Sequence, residues 1–277
     1  MDRFLMLGRQ HLYLTEEEAL KYPVLRSFAS EIESMKRSSG GYSEDFLRFL
    51  GATAIDSLDF SDYEGANLVH DLNRPVPEEW HGRYDLVFDG GSLEHVFQFP
   101  VALKSAMEMV ELGGHFVAAS PSNHFNGHGF YQLSAELFHR ALSPVNGFSV
   151  KLMAFAEQGA GGRVYRVEDP AQVGRRILFG GRNPLLLLVV ARREKISEIF
   201  SENPSQSDYA KVWTSSEEPK PTGKRKFRAI RRIMPSALMH RYDAWQVRRR
   251  RWREARIGVH PVDSFSEAFQ EFPRPSC

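Results

Sequence analysis

The 277 residues hold one cysteine, and it is the last of them, Cys277. An intrachain disulfide is therefore excluded, and a thiolate metal cluster or a buried catalytic thiol has no residues to build it. Such cysteine usage fits a reducing compartment. Long apolar runs are lacking as well. The most apolar stretch, 185–191, falls far short of the ~20 residues that span a bilayer. The first ten residues lack the apolar core of a secretory signal, so a cytoplasmic chain without a transmembrane segment is expected. Net charge is also nearly absent, at +1 from 36 Lys and Arg against 35 Asp and Glu.

That balance conceals a segregation. Residues 224–256 carry 13 Lys or Arg against only Asp243 and Glu254, a net +11, which leaves −10 on the rest of the chain. Before this arm, residues 199–223 are rich in Ser, Pro and Glu with no apolar periodicity, which reads as a linker. The expected organisation is an α/β domain over 1–198, a linker over 199–223 and a basic amphipathic helical tail over 224–277.

Within the body, apolar runs alternate with helical spacings. Seven strands are predicted, at 3–7, 53–58, 67–70, 84–88, 115–119, 147–155 and 185–191. Thr15 and Glu18 have the capping-box spacing, and a helix over about 16–36 is predicted from them. Further helices are expected over 44–50, 93–110 and 134–142, with Ser43 and Ser134 as N-caps. Alternation of this kind implies a mainly parallel sheet with helices on both faces. Ligands of such sheets bind beyond the carboxyl ends of the strands. Three successive strands run into Asp59, Asp71 and Asp89. One such acid is ordinarily a turn former or cap; three on one edge make an acidic rim suited to hydroxyls, an amino group and positive charge.

These residues resemble the class I S-adenosylmethionine-dependent methyltransferases over roughly 2–194. The best stretch is YDLVFDGGSLEHVFQFPVALKSAMEMVELGGHFVAASPSN, 84–123, similar to the family's fourth strand, its acid, the "LEH" helix and the fifth strand. The resemblance implies a seven-stranded, mostly parallel Rossmann-like sheet whose last strand is antiparallel and inserted beside the fifth. It also implies S-adenosyl-L-methionine as cofactor. In "SLDFS" Asp59 would hold the ribose hydroxyls; in "VHDLN" Asp71 would accept from the adenine amino group while Leu72 packs on the ring; Asp89 and Gly90 would line the methionine end. The family's glycine-rich first loop is reduced here to Leu7-Gly8-Arg9-Gln10. Gly8 would still allow one close approach, and Arg9 or Gln10 would meet the methionine carboxylate. The helix at about 15–37 then becomes an insertion. The variant also resembles bacterial proteins of glycan and small-molecule clusters with "LGRQ" and "GHGFYQ" segments.

Methyl transfer needs a base only where the acceptor is a hydroxyl or a protonated amine. His95, His124 and His128 are the candidate catalytic residues, and Asn123 and Tyr131 the candidate acceptor contacts, the last four from the polar loop after the fifth strand. Each histidine has a plainer reading as a backbone-bonding or packing residue. His124 and His128 stand at i, i+4, but Asn126 and Gly127 argue against a helix between them, and no metal site is expected.

The leading reading is methyl transfer to oxygen or nitrogen of a small-molecule or glycan acceptor. The alternatives are a non-catalytic binding or scaffold protein of the same fold, and an enzyme recruited to an anionic membrane surface or nucleic acid through 224–256. In the arm, Leu238, Tyr242, Trp245 and Trp252 fall near one helical face, which would serve such a surface or dock on the acidic body.

Overall fold

The computed structural model describes residues 2–23, 25–159, 161–209 and 256–262. Its strands are β1 (Arg3–Leu7), β2 (Ala54–Asp59), β3 (Leu68–Val69), β4 (Tyr84–Asp89), β5 (Val110–Asn123), β6 (Phe148–Glu157), β7 (Val164–Val167), β8 (Leu178–Phe179), β9 (Leu185–Arg193), β10 (Arg256–Ile257) and β11 (Val259–Val262). Nine of them form one sheet, in the order β11-β7-β6-β9-β5-β4-β1-β2-β3. From β3 to β5 all neighbours are parallel. The reversed strand β9 lies between β5 and β6, antiparallel to both. All seven predicted strands are present, and the last sits where the resemblance placed it.

The sheet is wider than expected. β7 and β11 extend it beyond β6, and β8 with β10 makes a separate ribbon. β11 contains Pro261, which has no N–H for a ladder and is at home on this outer edge.

The helices are α1 (Glu16–Lys21), α2 (Ile32–Ser38), α3 (Glu44–Phe49), α4 (Phe99–Met109), α5 (Ala135–Ala141) and α6 (Pro170–Val173). Side chains of β1 alternate between two cores, as the pleat requires. Leu5 and Leu7 join Val87, Phe116, Val189 and residues of α4 and α5, such as Met107 and Phe138. Phe4 and Met6 face the other way, toward Ala52 and Leu47 of α3. With helices on both faces, the strand between them is apolar almost throughout.

Two predicted helices are broken by proline. α1 begins with the expected capping box, Glu18 N donating to Thr15 Oγ1 (3.2 Å) and Thr15 N to Glu18 Oε2 (2.9 Å). It ends at Lys21 because Tyr22 precedes Pro23 and is extended (φ −104°, ψ 118°). The chain turns again at 26–31 and continues as α2, so the insertion is three short pieces. Likewise 93–110 is a single turn at 93–95 followed by α4, which carries Pro100 in its first turn. Ser134 caps α5 as expected, accepting from Leu137 N at 3.2 Å. Ser43 does not cap α3; its hydroxyl donates to Gln10 O at 2.9 Å.

Residues at the start of the expected linker lie against the body. Ile199 is buried, Phe200 N donates to Asn146 Oδ1 (2.9 Å), and Ser207 N donates to Glu136 Oε1 (2.8 Å). Arg256, expected to end the tail helix, belongs to β10 instead. The expected amphipathic helix otherwise lies outside the described residues, as does the final segment 263–277. No helix of the described residues is long and apolar enough to cross a membrane.

Candidate functional site

Register brings the strand ends level. Leu7 stands opposite Leu58 on one side and Asp89 on the other, and Asp59 stands opposite Val69. The chain leaves β1 through Gly8, whose N–H donates to Leu58 O at 2.8 Å and whose φ is +69°. A Cβ there would come within 2.5 Å of Ser92 Oγ, so glycine is required by both conformation and space. Ser92 Oγ in turn donates to Leu7 O (2.7 Å).

Beyond this edge opens a cavity of ≈ 330 Å³ lined by Gly8, Asp59, Asp71, Leu72, Ser92 and His95, among others. Asp59 accepts one backbone bond, from Phe60 N through Oδ1 (2.6 Å). Asp71 Oδ1 accepts from Asn73 N (2.9 Å) and Asn73 Nδ2 (2.8 Å), which hold its carboxyl below the usual range. Leu72 is buried against the main core. The two acids and the leucine thus line the same cavity.

Three other predicted contacts are arranged differently. Arg9 turns toward the insertion: its Nε is 2.6 Å from Glu44 Oε1, Nη1 donates to Glu64 O (2.6 Å), and the guanidinium lies 3.8 Å over the Tyr42 ring. With its charge and fork already satisfied, it is withdrawn from the cavity. Gln10 takes the space beside Gly90, where a Cβ would sit 2.2 Å from Gln10 Oε1, and Nε2 donates to Leu7 O (2.8 Å). Asp89 is wholly buried. Its Oδ1 accepts from Ser92 N (2.8 Å) and Leu93 N (3.2 Å), and so it fastens the turn at 93–95 rather than forming a cavity wall. Burial, with Glu94 adding to it, raises its pKa to about 6.

That turn presents the densest polar group. Glu94 is wholly buried and neither carboxylate oxygen has a hydrogen-bond partner. His128 Nε2 lies 3.3 Å from Glu94 Oε1 and His95 Nε2 3.8 Å from it. One donor atom from each of the three residues falls within 4.8 Å of the others. Burial pushes the Glu94 carboxyl up while the neighbouring His128 opposes the shift. His95 is pushed down, first by burial and then by the charge of His128. The loop after β5 is fastened over this turn: Phe130 N and Tyr131 N both donate to Glu94 O (3.0 and 3.3 Å), and Tyr131 Oη donates to Phe97 O (2.8 Å).

The histidine pair expected at i, i+4 is split. His124 adopts φ +62°, and its Nε2 lies 3.3 Å from Gly181 O. Only His128 reaches the Glu94–His95 turn. Asn123 accepts from His124 N (3.0 Å) and lines a second cavity of ≈ 360 Å³, with Ser122, Glu136, Phe155 and Arg176. Tyr131 serves to fix the loop through Phe97. Glu94 is the buried polar group that the sequence reading did not single out. At the start of a turn it has the pattern of a dipole-compensating acid, and only the loop folded over it makes it a buried group.

No protein-family model matches the chain, and no curated protein matches it. Solved structures do. A protein described with the conversion of a disulfide bond into a thioacetal group during echinomycin biosynthesis is 15% identical, covering 71% of this chain and 78% of that one, with a TM-score of 0.38. A putative methyltransferase from Bacillus halodurans C-125 is 10% identical over 70% of this chain and 92% of that one, with a TM-score of 0.38. The N-methyltransferase NodS from Bradyrhizobium japonicum WM9 is 11% identical over 70% and 86%, with a TM-score of 0.37. The fold rests on the strand order itself, with its reversed strand beside β5.

Proposed function

We propose that the chain is an S-adenosylmethionine-dependent methyltransferase acting on a hydroxyl or amine of a small-molecule or glycan acceptor. The observation that carries the reading is the alignment of Gly8, Asp59 and Asp71 around one cavity at the carboxyl edge of the parallel strands. The fit to the cofactor is chemical as well as positional. Asp59 Oδ2 has no hydrogen-bond partner among the described residues and suits a vicinal diol. Asn73 occupies Asp71 Oδ1, and Oδ2, whose neighbour is the exposed Arg74 guanidinium at 4.0 Å, is the oxygen that would accept from an amino group. Leu72 offers an apolar face to a flat ring, and Gly8 leaves room where a side chain would collide.

The cofactor supplies an activated methyl on a sulfonium; the protein supplies alignment and exclusion of water. Asp59 and Asp71 orient the nucleoside. Ser92 and Gly91 line the end of the cavity nearest His95. The Glu94–His95–His128 group, with His95 in the cavity wall, receives the acceptor's heteroatom and handles its proton. The depressed pKa of His95 keeps its ring neutral near pH 7, with a lone pair available. The loop fastened at Glu94 O covers the acceptor.

The test incubates the full chain with methyl-labelled cofactor and panels of hydroxylated and aminated small molecules and oligosaccharides. Label should move to an acceptor with the native chain. His95→Ala should retain cofactor binding and lose transfer. Failure of the native chain to bind either the cofactor or its demethylated product would overturn the reading.

A further inference from the structure

Glu94 poses a problem that methyl transfer alone leaves open. A carboxylate removed from water, whose nearest side-chain donor is the His128 imidazole at 3.3 Å and out of line for a well-formed hydrogen bond, is costly, and buried charges are ordinarily paired or bound to metal. Both of its oxygens lack hydrogen bonds, and the nearest polar atoms are imidazole nitrogens of His128 and His95. From this geometry we infer that Glu94, His95 and His128 form a binding site for a divalent first-row transition cation.

The dimensions suit such an ion. Metal–nitrogen and metal–oxygen bonds of about 2.0–2.2 Å place ligand atoms roughly 3.0–3.5 Å apart around one centre. Glu94 Oε1 is 3.3 Å from His128 Nε2 and 3.8 Å from His95 Nε2. The carboxylate is held rigidly at 0% side-chain exposure, whereas the imidazoles are 48% and 47% exposed and can rotate to close the remaining gap. Two imidazoles and one carboxylate favour zinc, iron or a neighbouring late first-row ion over magnesium, calcium or manganese, which prefer oxygen.

The surroundings are built around these three side chains. Gly129 sits where a Cβ would come 3.0 Å from Glu94 O and 3.3 Å from His95 Cε1, so any side chain there would crowd the turn. The loop's two N–H bonds to Glu94 O bring His128 to the turn. Three protein ligands leave positions open, as in catalytic rather than structural sites. His95 lines the cofactor cavity, so the open positions are adjacent to it, where an oxygen of the acceptor completes the coordination. That last role rests on the transferase reading, and with the ion bound the His95 lone pair is a ligand, so the acceptor's proton would be lost through the ion's pull on its oxygen rather than to His95; the ion site itself does not rest on that reading.

The experiment titrates the full chain, stripped with chelator, with Zn²⁺ and Co²⁺ by calorimetry and by visible absorption of Co²⁺, without cofactor. One ion per chain is expected, with His95→Ala and His128→Ala each weakening binding ~10-fold or more. Glu94→Gln should weaken it as well; should that variant misfold, the two exposed-histidine variants still decide. His260→Ala, remote on β11, should bind as the native chain does. Absence of saturable binding overturns the inference. So does binding that survives both His95→Ala and His128→Ala, or that falls equally in His260→Ala. Titration of the demethylated cofactor in the same preparation separates the two claims: ion binding without cofactor binding upholds the site and sinks the transferase reading, and the reverse sinks the site alone.

Discussion

The backbone carbonyl of Glu94 accepts hydrogen bonds from Phe130 N–H at 3.0 Å and Tyr131 N–H at 3.3 Å. Through these bonds the turn after β4 and the loop after β5 become one unit, and His128 reaches the Glu94 carboxylate. The geometry of the Glu94–His95–His128 group is therefore set by the backbone of one loop, and its integrity can be probed without replacing a polar side chain.

Gly129→Ala is the direct probe. The new methyl must displace either the Glu94 carbonyl or the His95 ring, at 3.0 and 3.3 Å. A loss of about 1–3 kcal/mol in unfolding free energy is expected, the usual cost of overpacking. Under the proposed function, label transfer should fall further than cofactor affinity does, because Asp59 and Asp71 lie outside this loop. Urea unfolding together with cofactor titration checks both halves.

Asp89 makes stability depend on pH. Its folded pKa of about 6 exceeds the ordinary 3.8, so the folded state holds the proton more tightly than the unfolded chain. Its contribution is fully present below pH 3.8 and is lost as pH rises through about 6. The raised Glu94 carboxyl acts in the same direction. Asp89→Asn keeps an acceptor for Ser92 N–H and Leu93 N–H and removes the buried charge. Thermal unfolding between pH 4 and pH 8 should show a flatter slope for the variant, the difference amounting to ~3 kcal/mol or less. An unchanged slope would count against a buried, ionising Asp89.

Arg193 ties the reversed strand to the end of α4. Its Nη1 donates to Glu108 O (3.0 Å) and Val110 O (2.5 Å) from a side chain that is almost fully buried. Arg193→Met removes this donor from both carbonyls, of which Glu108 O keeps the Gly82 N–H at 2.8 Å, and a loss of about 1–3 kcal/mol is expected by denaturant unfolding. Cofactor affinity in the fraction that stays folded should change little.

Much of the fold was legible because its strands are short apolar runs closed by Asp, Gly or Ser. β1, β4 and β9 could be read directly, since burial on both faces leaves little polar interruption. β7 and β11 were not legible: VYRV is short and partly polar, and VHPV contains a proline that reads as a break until the strand is seen on an edge. Helix ends were misjudged where Pro23 and Pro100 interrupt an apolar spacing that otherwise runs on.

At the site, the placing of Asp59 at a strand end and of Asp71 and Leu72 just after the next strand was legible, because each follows an apolar run directly. Arg9 was not, because Glu44 and Tyr42, which hold it, arrive from the insertion. The loop histidines part company for a related reason. A left-handed backbone at His124 sends that ring toward Gly181 and leaves His128 to pair with a turn distant in sequence.

Cofactor binding tests the central claim most directly. Calorimetric titration of the full chain with S-adenosylhomocysteine should show one site per chain. Asp59→Ala should weaken it by ~1.5–3 kcal/mol, about 10- to 100-fold, through loss of a charged acceptor for the diol. No heat at protein concentrations that detect micromolar binding, or equal affinity in Asp59→Ala, would contradict it.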